Sequence, residues 1–388
     1  MRIRFDKLGV AITLIAAYGT LGSGFAVLKP NRIVQGQVKS ILECFPAWAG
    51  AALIVLMLLT VFVALFRTPP WLKLGAAASA LATLAVAIGL AADFLTPAGN
   101  SYARVSPASG FWILLFAFAL LAADAITRLK PAPWMRVLFL FIAAAGIALI
   151  FLSGIWSGLS IMKEYAGRAD VFWAEAGKHV MLALGSLVAA TVVGLPLGVL
   201  CHRVAPLRAS VLNILNLIQT IPSIALFGIL IAPLAWIAAT VPGAAAIGIR
   251  GIGVAPAFVA LFLYSLLPIV ANTVVGLAGV PREANEAARG TGMTDMQRLF
   301  QIEFPLALPV ILTGIRIVLV QNIGLATIAA LIGGGGFGVF VFQGIGQTAM
   351  DLVLLGAVPT VALAFAAAVL LDALIQANSR ISNGAGSA

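Results

Sequence analysis

The chain has 388 residues, of which 62% are hydrophobic and only 9% charged, with a mean hydropathy of +1.12 and a formal net charge of +10. A soluble domain carries about a quarter charged residues, so the composition excludes an ordinary soluble protein. It also argues against nucleic-acid binding, because the basic residues are scattered through short loops and not gathered on one polar domain.

Apolar runs close to the length of a spanning helix recur along the sequence. Lipid leaves few ways other than helix to satisfy backbone polar groups. The pattern therefore predicts an all-α polytopic membrane protein with about ten transmembrane helices. The first run, 9–28, follows Arg2, Arg4 and Lys7. It is longer than a signal-peptide core and no small-residue cleavage site follows, so it reads as an uncleaved span. Runs at 46–66, 73–95, 108–127 and 135–156 come next. Trp48, Trp71, Trp112, Trp134 and Trp156 mark their ends, as an interfacial aromatic belt does. These five spans form an N-terminal region, 1–156, that carries few polar residues and no readable motif. A polar connecting segment, 157–179, is expected to hold a short amphipathic helix on the outer surface.

The region 180–380 has a different character, rich in Gly, Pro, Asn and Gln. Its runs are 180–201, 211–240, 254–278, 306–331 and 351–375. The second is too long for one straight span and holds Pro222, Gly228 and Pro233, so a bend or break is expected there. Placing both termini inside puts Arg67, Lys73, Arg128, Lys130, Arg203, Arg208, Arg282, Arg289 and Arg298 on the inner side, and fewer Lys/Arg outside. Cys44 and Cys201 then fall near opposite faces and are expected not to pair. Both read as small packing residues.

The polar stretch from Glu283 to Pro309 sits on the inner side in this arrangement. Pro281 suits the first turn of a helix, with Glu283 and Glu286 near its positive end. Gly290 and Gly292 can end it with positive φ. Thr294 then resembles an N-cap with Gln297 completing a capping box, and Met296, Leu299 and Phe300 form a narrow apolar stripe. Helix, glycine turn and second helix are thus predicted between two spans. From the residues alone the segment reads equally as a solvated amphipathic loop or as a docking element.

The order Glu286-Ala287-Ala288, three residues, Gly292, nine residues, Ile302, one residue, Phe304-Pro305 closely resembles the EAA loop of ABC importer permeases. Phe304 stands where that family usually has Leu. The resemblance implies a coupling loop at 281–305 that fits a cleft on an ATPase subunit, with Glu286, Ala287, Ala288, Gly292, Ile302 and Pro305 as coupling residues. It also implies a type I ABC importer permease core in the C-terminal five spans. The segments 216–231, 251–277 and 333–346 are similar to permeases of osmoprotectant importers, which carry glycine betaine, choline, carnitine or proline betaine. The expected function is import of such a quaternary amine across the inner membrane. The resemblance covers residues 171–378, and the additional N-terminal spans look like those of a subgroup of the family.

No Walker-type G-x-x-x-x-G-K-[ST] occurs in the sequence, and Gly333–Gly336 lacks the following Lys and hydroxyl residue. The chain is therefore expected to be no enzyme and to hold no cofactor. ATP and Mg belong to partner ATPase subunits, alongside a separate periplasmic solute-binding protein, the lipid bilayer, and a second permease copy or a paralogous permease. Gln219, Pro222, Asn272, Gln321 and Asn322 are the candidates for a translocation path, since a proline can leave a carbonyl facing a cavity. Amides within spans serve either a path or interhelical bonding. Arg316, inside a span, is expected to pair with a carboxylate or to snorkel. An amino-acid or sulfonate cargo fits the coupling loop equally well. An ion-coupled carrier would need acids in mid-span, whereas Asp93, Asp124 and Asp372 lie near span ends. A membrane enzyme would need a His/Asp or Ser/Lys constellation, and the chain has only two histidines.

Overall fold

The computed structural model describes residues 5–31, 34–97, 99–100 and 102–384. It divides into two compact units, Met1–Gly167 and Arg168–Ala388.

In the first unit, Asp6 opens helix α1 (Lys7–Ala17) by accepting the N–H groups of Leu8 and Gly9 at 3.1 and 3.4 Å. A wider π turn, Tyr18–Gly22, continues the helix. The chain then becomes extended. Strand β1 (Ala26–Lys29) lies between β2 (Gln37–Lys39) and β3 (Arg104–Pro107) in a small antiparallel sheet. This corrects the expected first span: the helix stops at Gly22, and Ala26, Val27 and Leu28 belong to a strand. Gly22 and Gly24 weaken helix on either side of Ser23, and an apolar run alone does not separate a helix end from a buried strand. Helices α2 (Ala47–Leu65), α3 (Pro70–Leu95) and α4 (Ser109–Leu129) pack with α1 around Ile12, Met57, Leu84, Leu114 and Phe118. Helices α5 (Pro133–Leu152) and α6 (Ser160–Ala166) complete the unit.

The second unit begins with the 35-residue helix α7 (Ala169–Arg203). The polar residues Asp170, Glu175 and Lys178, expected in a connecting segment, are instead its first turns. Next come α8 (Ala205–Thr220) and α9 (Ser223–Thr240), separated at Ile221–Pro222, where the expected long span breaks. Proline at 222 has no N–H for the helix ladder, and it holds the preceding residue extended. Helix α10 (Val254–Ala278) leads into α11 (Arg282–Gly290) and α12 (Asp295–Arg298). A π turn, Leu299–Glu303, joins α12 to α13 (Phe304–Ala326). Helices α14 (Gly338–Gly346) and α15 (Met350–Gly384) close the chain.

Helices α7, α10 and α13 form the centre of this unit. Gly194 and Gly198 of α7 face Ile269 and Thr273 of α10 so closely that a Cβ at Gly198 would lie 2.5 Å from the Thr273 Cβ. Small residues let helices approach in lipid, where packing supplies the attraction that water would otherwise drive. Among the described residues, nine helices are long and apolar enough to cross a membrane, and Lys7–Gly22 is a shorter apolar helix. The chain is an all-α polytopic membrane protein, with three short strands among the described residues.

Candidate functional site

The loop between α10 and α13 is built by local rules. Pro281 precedes α11 in an extended conformation. At its other end, the N–H of Thr291 reaches the Ala287 carbonyl at 3.0 Å and that of Met293 reaches the Ala288 carbonyl at 3.1 Å. This closure requires Gly292 at φ 82°, with nothing within 4 Å of where a Cβ would stand. Gly290, also expected in the turn, remains the last helical residue. Thr294 then caps α12: its Oγ1 accepts the Gln297 N–H at 3.3 Å, while its own N–H donates to Gln297 Oε1 at 2.8 Å.

Glu286, Ala287, Gly292 and Pro305 are exposed, Ile302 is half-buried and Ala288 is buried. Met296 and Phe300, four residues apart, are both exposed, while Leu299 turns inward. The loop therefore presents a small helix face, a bare glycine turn and two apolar side chains on its outside.

An ion cluster that the sequence did not reveal anchors the loop. Glu303 is buried and accepts Arg298 Nε at 3.1 Å and Arg203 Nη2 at 2.7 Å. Arg298 is equally buried and also meets Asp295 at 2.9 Å. Glu303 thus ties the second half of the loop to the end of α7. Its partners lie 5 and 100 residues away, and the distant one carries no periodic signal.

Within the centre of the unit, the proposed path residues are held by other groups. Pro268 removes the N–H that would bond the Tyr264 carbonyl, and Gln219 Nε2 donates to that carbonyl at 2.8 Å. The Tyr264 hydroxyl in turn donates to the Ile221 carbonyl, beside Pro222. The break at Pro222 and the turn of α10 that precedes Pro268 are thus joined by two hydrogen bonds, one donated from each side. Asn322 is fully buried and donates to Ser186 of α7 and Ser265 of α10, each at 2.9 Å. It binds three helices together. Asn272 donates to its own helix at Pro268, 2.8 Å away, and Gln321 is half-buried. Arg316 pairs with Asp372 at 2.7 Å, so the carboxylate alternative is the one realised.

Comparison with known proteins gives this geometry a context. Residues 190–380 match the family described as binding-protein-dependent transport system inner membrane component. Residues 6–162 match the N-terminal domain of the ABC transporter permease YehY. The osmoprotectant import permease protein OsmW of Salmonella typhimurium is 46% identical over 180 residues, which span 46% of this chain and 79% of that one. The chain belongs to the family of binding-protein-dependent ABC permeases. OsmY of the same organism is 39% identical over 242 residues, covering 62% of this permease and 92% of its own length. The glycine betaine/carnitine/choline transport system permease protein OpuCB of Bacillus subtilis is 35% identical over 206 residues, covering 53% and 86%.

The permease is accordingly a multi-pass inner membrane protein and a transporter subunit, with ATP hydrolysis in a separate subunit. At the opposite end of α7 from Arg203, the glycine run of the permease is packed against charge. Glu175 accepts the Gly336 N–H at 2.6 Å and Lys178 at 2.7 Å, and His179 Nδ1 accepts the Phe337 N–H at 3.3 Å. Gly335 and Gly336 both have positive φ, and a Cβ at Gly335 would lie 2.6 Å from Glu175. The run is a close-packed turn of the scaffold.

Proposed function

We propose that this chain is the membrane subunit of an ATP-driven importer for an osmoprotectant, most plainly glycine betaine or a related quaternary amine. The observation that carries the solute class is the naming of its relatives as osmoprotectant, choline and carnitine permeases. The loop 281–305 faces the cytoplasm, as do both termini, and docks on ATPase subunits that hold ATP and Mg. Glu286, Ala287, Ala288 and Gly292 lie at that contact, with Ile302 and Pro305 behind them. A separate periplasmic protein delivers the solute, and a second permease copy or a paralogous permease completes the pore.

Solute selection falls to the delivery protein in this reading. A quaternary ammonium offers no hydrogen to donate and is held best over aromatic faces, whereas Gln219, Asn272 and Asn322 are engaged within their own bundle. Gln219, Pro222, Asn272, Gln321 and Asn322 border a weak path that opens when those bonds exchange.

Proteoliposomes containing permease, ATPase and delivery protein should accumulate labelled glycine betaine only with ATP. The permease–ATPase complex alone should bind it no tighter than about millimolar, roughly 4 kcal/mol. Accumulation of an amino acid or sulfonate instead would refute the solute class. Micromolar binding to the complex alone would move selection into this chain.

A further inference from the structure

One end of the first unit gathers both charge and aromatic surface. Helices α1 and α3 begin there, and α2 and α4 end there. Lys73 and Asp6 meet at 2.8 Å with both side chains buried, and Arg128 reaches the same Asp6 oxygen at 2.8 Å. The other Asp6 oxygen accepts Leu8 and Gly9 N–H, and Asp124 is taken by Arg128 Nε at 2.9 Å. Both Asp6 oxygens are thus engaged, and Asp124 is paired through one of its own.

Beside this cluster lies an open cavity of about 380 Å³ lined by Asp6, Lys7, Arg67, Thr68 and Arg128. Three cations against one carboxylate leave two positive charges in excess. Adding Lys73 and Asp124 leaves that excess unchanged. Lys7 and Arg67 are exposed and have no ion pair among the described residues. Next to them, exposed Phe5 stacks on Phe66 at 5.5 Å, and exposed Phe62 meets Phe66 at 4.7 Å. Phe62 lies one turn of α2 before Phe66, so the aromatic surface runs from the helix end toward mid-span. Trp71, on the first turn of α3, is also exposed.

We propose that this cavity binds the phosphate of an anionic phospholipid, with Lys7 and Arg67 on the headgroup and an acyl chain along Phe62, Phe66 and Phe5. Basic pockets between helices at a membrane surface suit such headgroups. The cavity could hold the phosphate of any small anion, and the aromatic surface is what favours the lipid. Because the cations stand at an open site, salt should weaken binding over a screening length of about 10 Å at 0.1 M.

Full-length chain in detergent would be exchanged with equal amounts of phosphatidylglycerol and phosphatidylcholine, and retained lipid counted by native mass spectrometry. Wild type should retain phosphatidylglycerol preferentially. Each basic side chain near an anionic surface contributes about fivefold, so Lys7→Ala with Arg67→Ala should lower that retention by about 25-fold. The conservative pair Lys7→Arg with Arg67→Lys should restore it. Both positions lie outside the buried Asp6–Lys73 pair, so thermal stability without added lipid should match wild type. Equal phosphatidylglycerol retention by wild type and the alanine pair would overturn the proposal. So would loss of the preference on adding millimolar inorganic phosphate, which would make this a free-anion site.

Discussion

Glu303 offers the most direct test of how the loop is held. Replacing it with alanine strands the Arg298 guanidinium, whose side chain is only 4% exposed, with one remaining partner, Asp295, that is 84% exposed. Removing one partner of a buried pair costs about 3–5 kcal/mol. The Arg203 side chain is 36% exposed, and an exposed ion pair contributes about 0.2–1 kcal/mol. Glu303→Ala should therefore destabilise the purified chain several times more than Arg203→Ala or Asp295→Ala in denaturant or thermal melts. A double variant, Glu303→Leu with Arg298→Met, replaces the pair by apolar volume and should recover most of the stability. Reconstituted uptake should stay impaired in that variant, because the link from the loop to α7 through Arg203 is gone, while ATP hydrolysis continues. Wild-type uptake by the double variant would refute the view that this link transmits motion. An Arg203→Ala loss as large as that of Glu303→Ala would refute the assignment of the cost to buried Arg298.

Gly292→Val should abolish ATP-coupled uptake and Gly292→Asn should retain much of it. The site has open space, so the penalty comes from the backbone alone, about 1–2 kcal/mol for an L residue at this φ and more for a β-branched one; wild-type uptake by the valine variant would contradict this. Burial alone would raise the Asp6 carboxyl, but hydrogen bonds from Lys73, Arg128 and Gly9 outweigh it and hold the group far below its ordinary value of 3.8. The unfolded chain then takes up the proton first, so the stability Asp6 contributes is complete at neutral pH and is lost as pH falls below about 4. The stability gap between wild type and Asp6→Asn should narrow over that range, and a gap independent of pH would disprove the account. Cys44 and Cys201 are both buried, and burial pushes the Cys44 thiol up to about 12, so neither should react with an impermeant maleimide in the native chain. In that silent background Thr294→Cys should label from the cytoplasmic side and Gln347→Cys from the periplasmic side; labelling of both from one side would reverse the proposed orientation.

Features fixed by neighbours in sequence were readable in advance. The Thr294–Gln297 capping box, the positive φ of Gly292 and the break at Pro222 each depend on residues within a turn of one another. The spans followed from length and apolarity, which lipid makes nearly sufficient. Two boundaries did not follow. Residues 26–28 continue the apolar run of the first helix but belong to the central strand, Ala26–Lys29, of a sheet whose partners lie as far away as Arg104–Pro107. Residues 169–179 are polar enough to resemble a loop, yet they open α7, where Glu175 accepts the Gly336 N–H of a segment 161 residues away. Ion clusters were the least legible. Lys73 looked like one more positive loop residue, and nothing local distinguishes it from Lys130. What makes it structural is Asp6, 67 positions earlier. Asn322 stands out in sequence for its polarity within a span, but polarity alone does not say whether an amide faces a path or, as here, two serines on other helices.

The Asn322 knot also sets a mechanical ratio. It grips α7 at Ser186, from which the helix runs about 26 Å to Arg203 and about 17 Å to Glu175 at 1.5 Å per residue. If α7 tilts about that grip by roughly 10°, the Arg203 end sweeps about 4.5 Å and the Glu175 end about 3 Å the other way, treating each arm as straight. The arms are unequal by about three to two. Work done on the long arm, where Glu303 holds Arg203, arrives at the short arm as a smaller displacement with greater force. That arm ends on the Gly336 N–H, which Glu175 holds at 2.6 Å. Under such a tilt, a stroke of about 4.5 Å at one end of α7 would reach the glycine turn at the other end as about 3 Å.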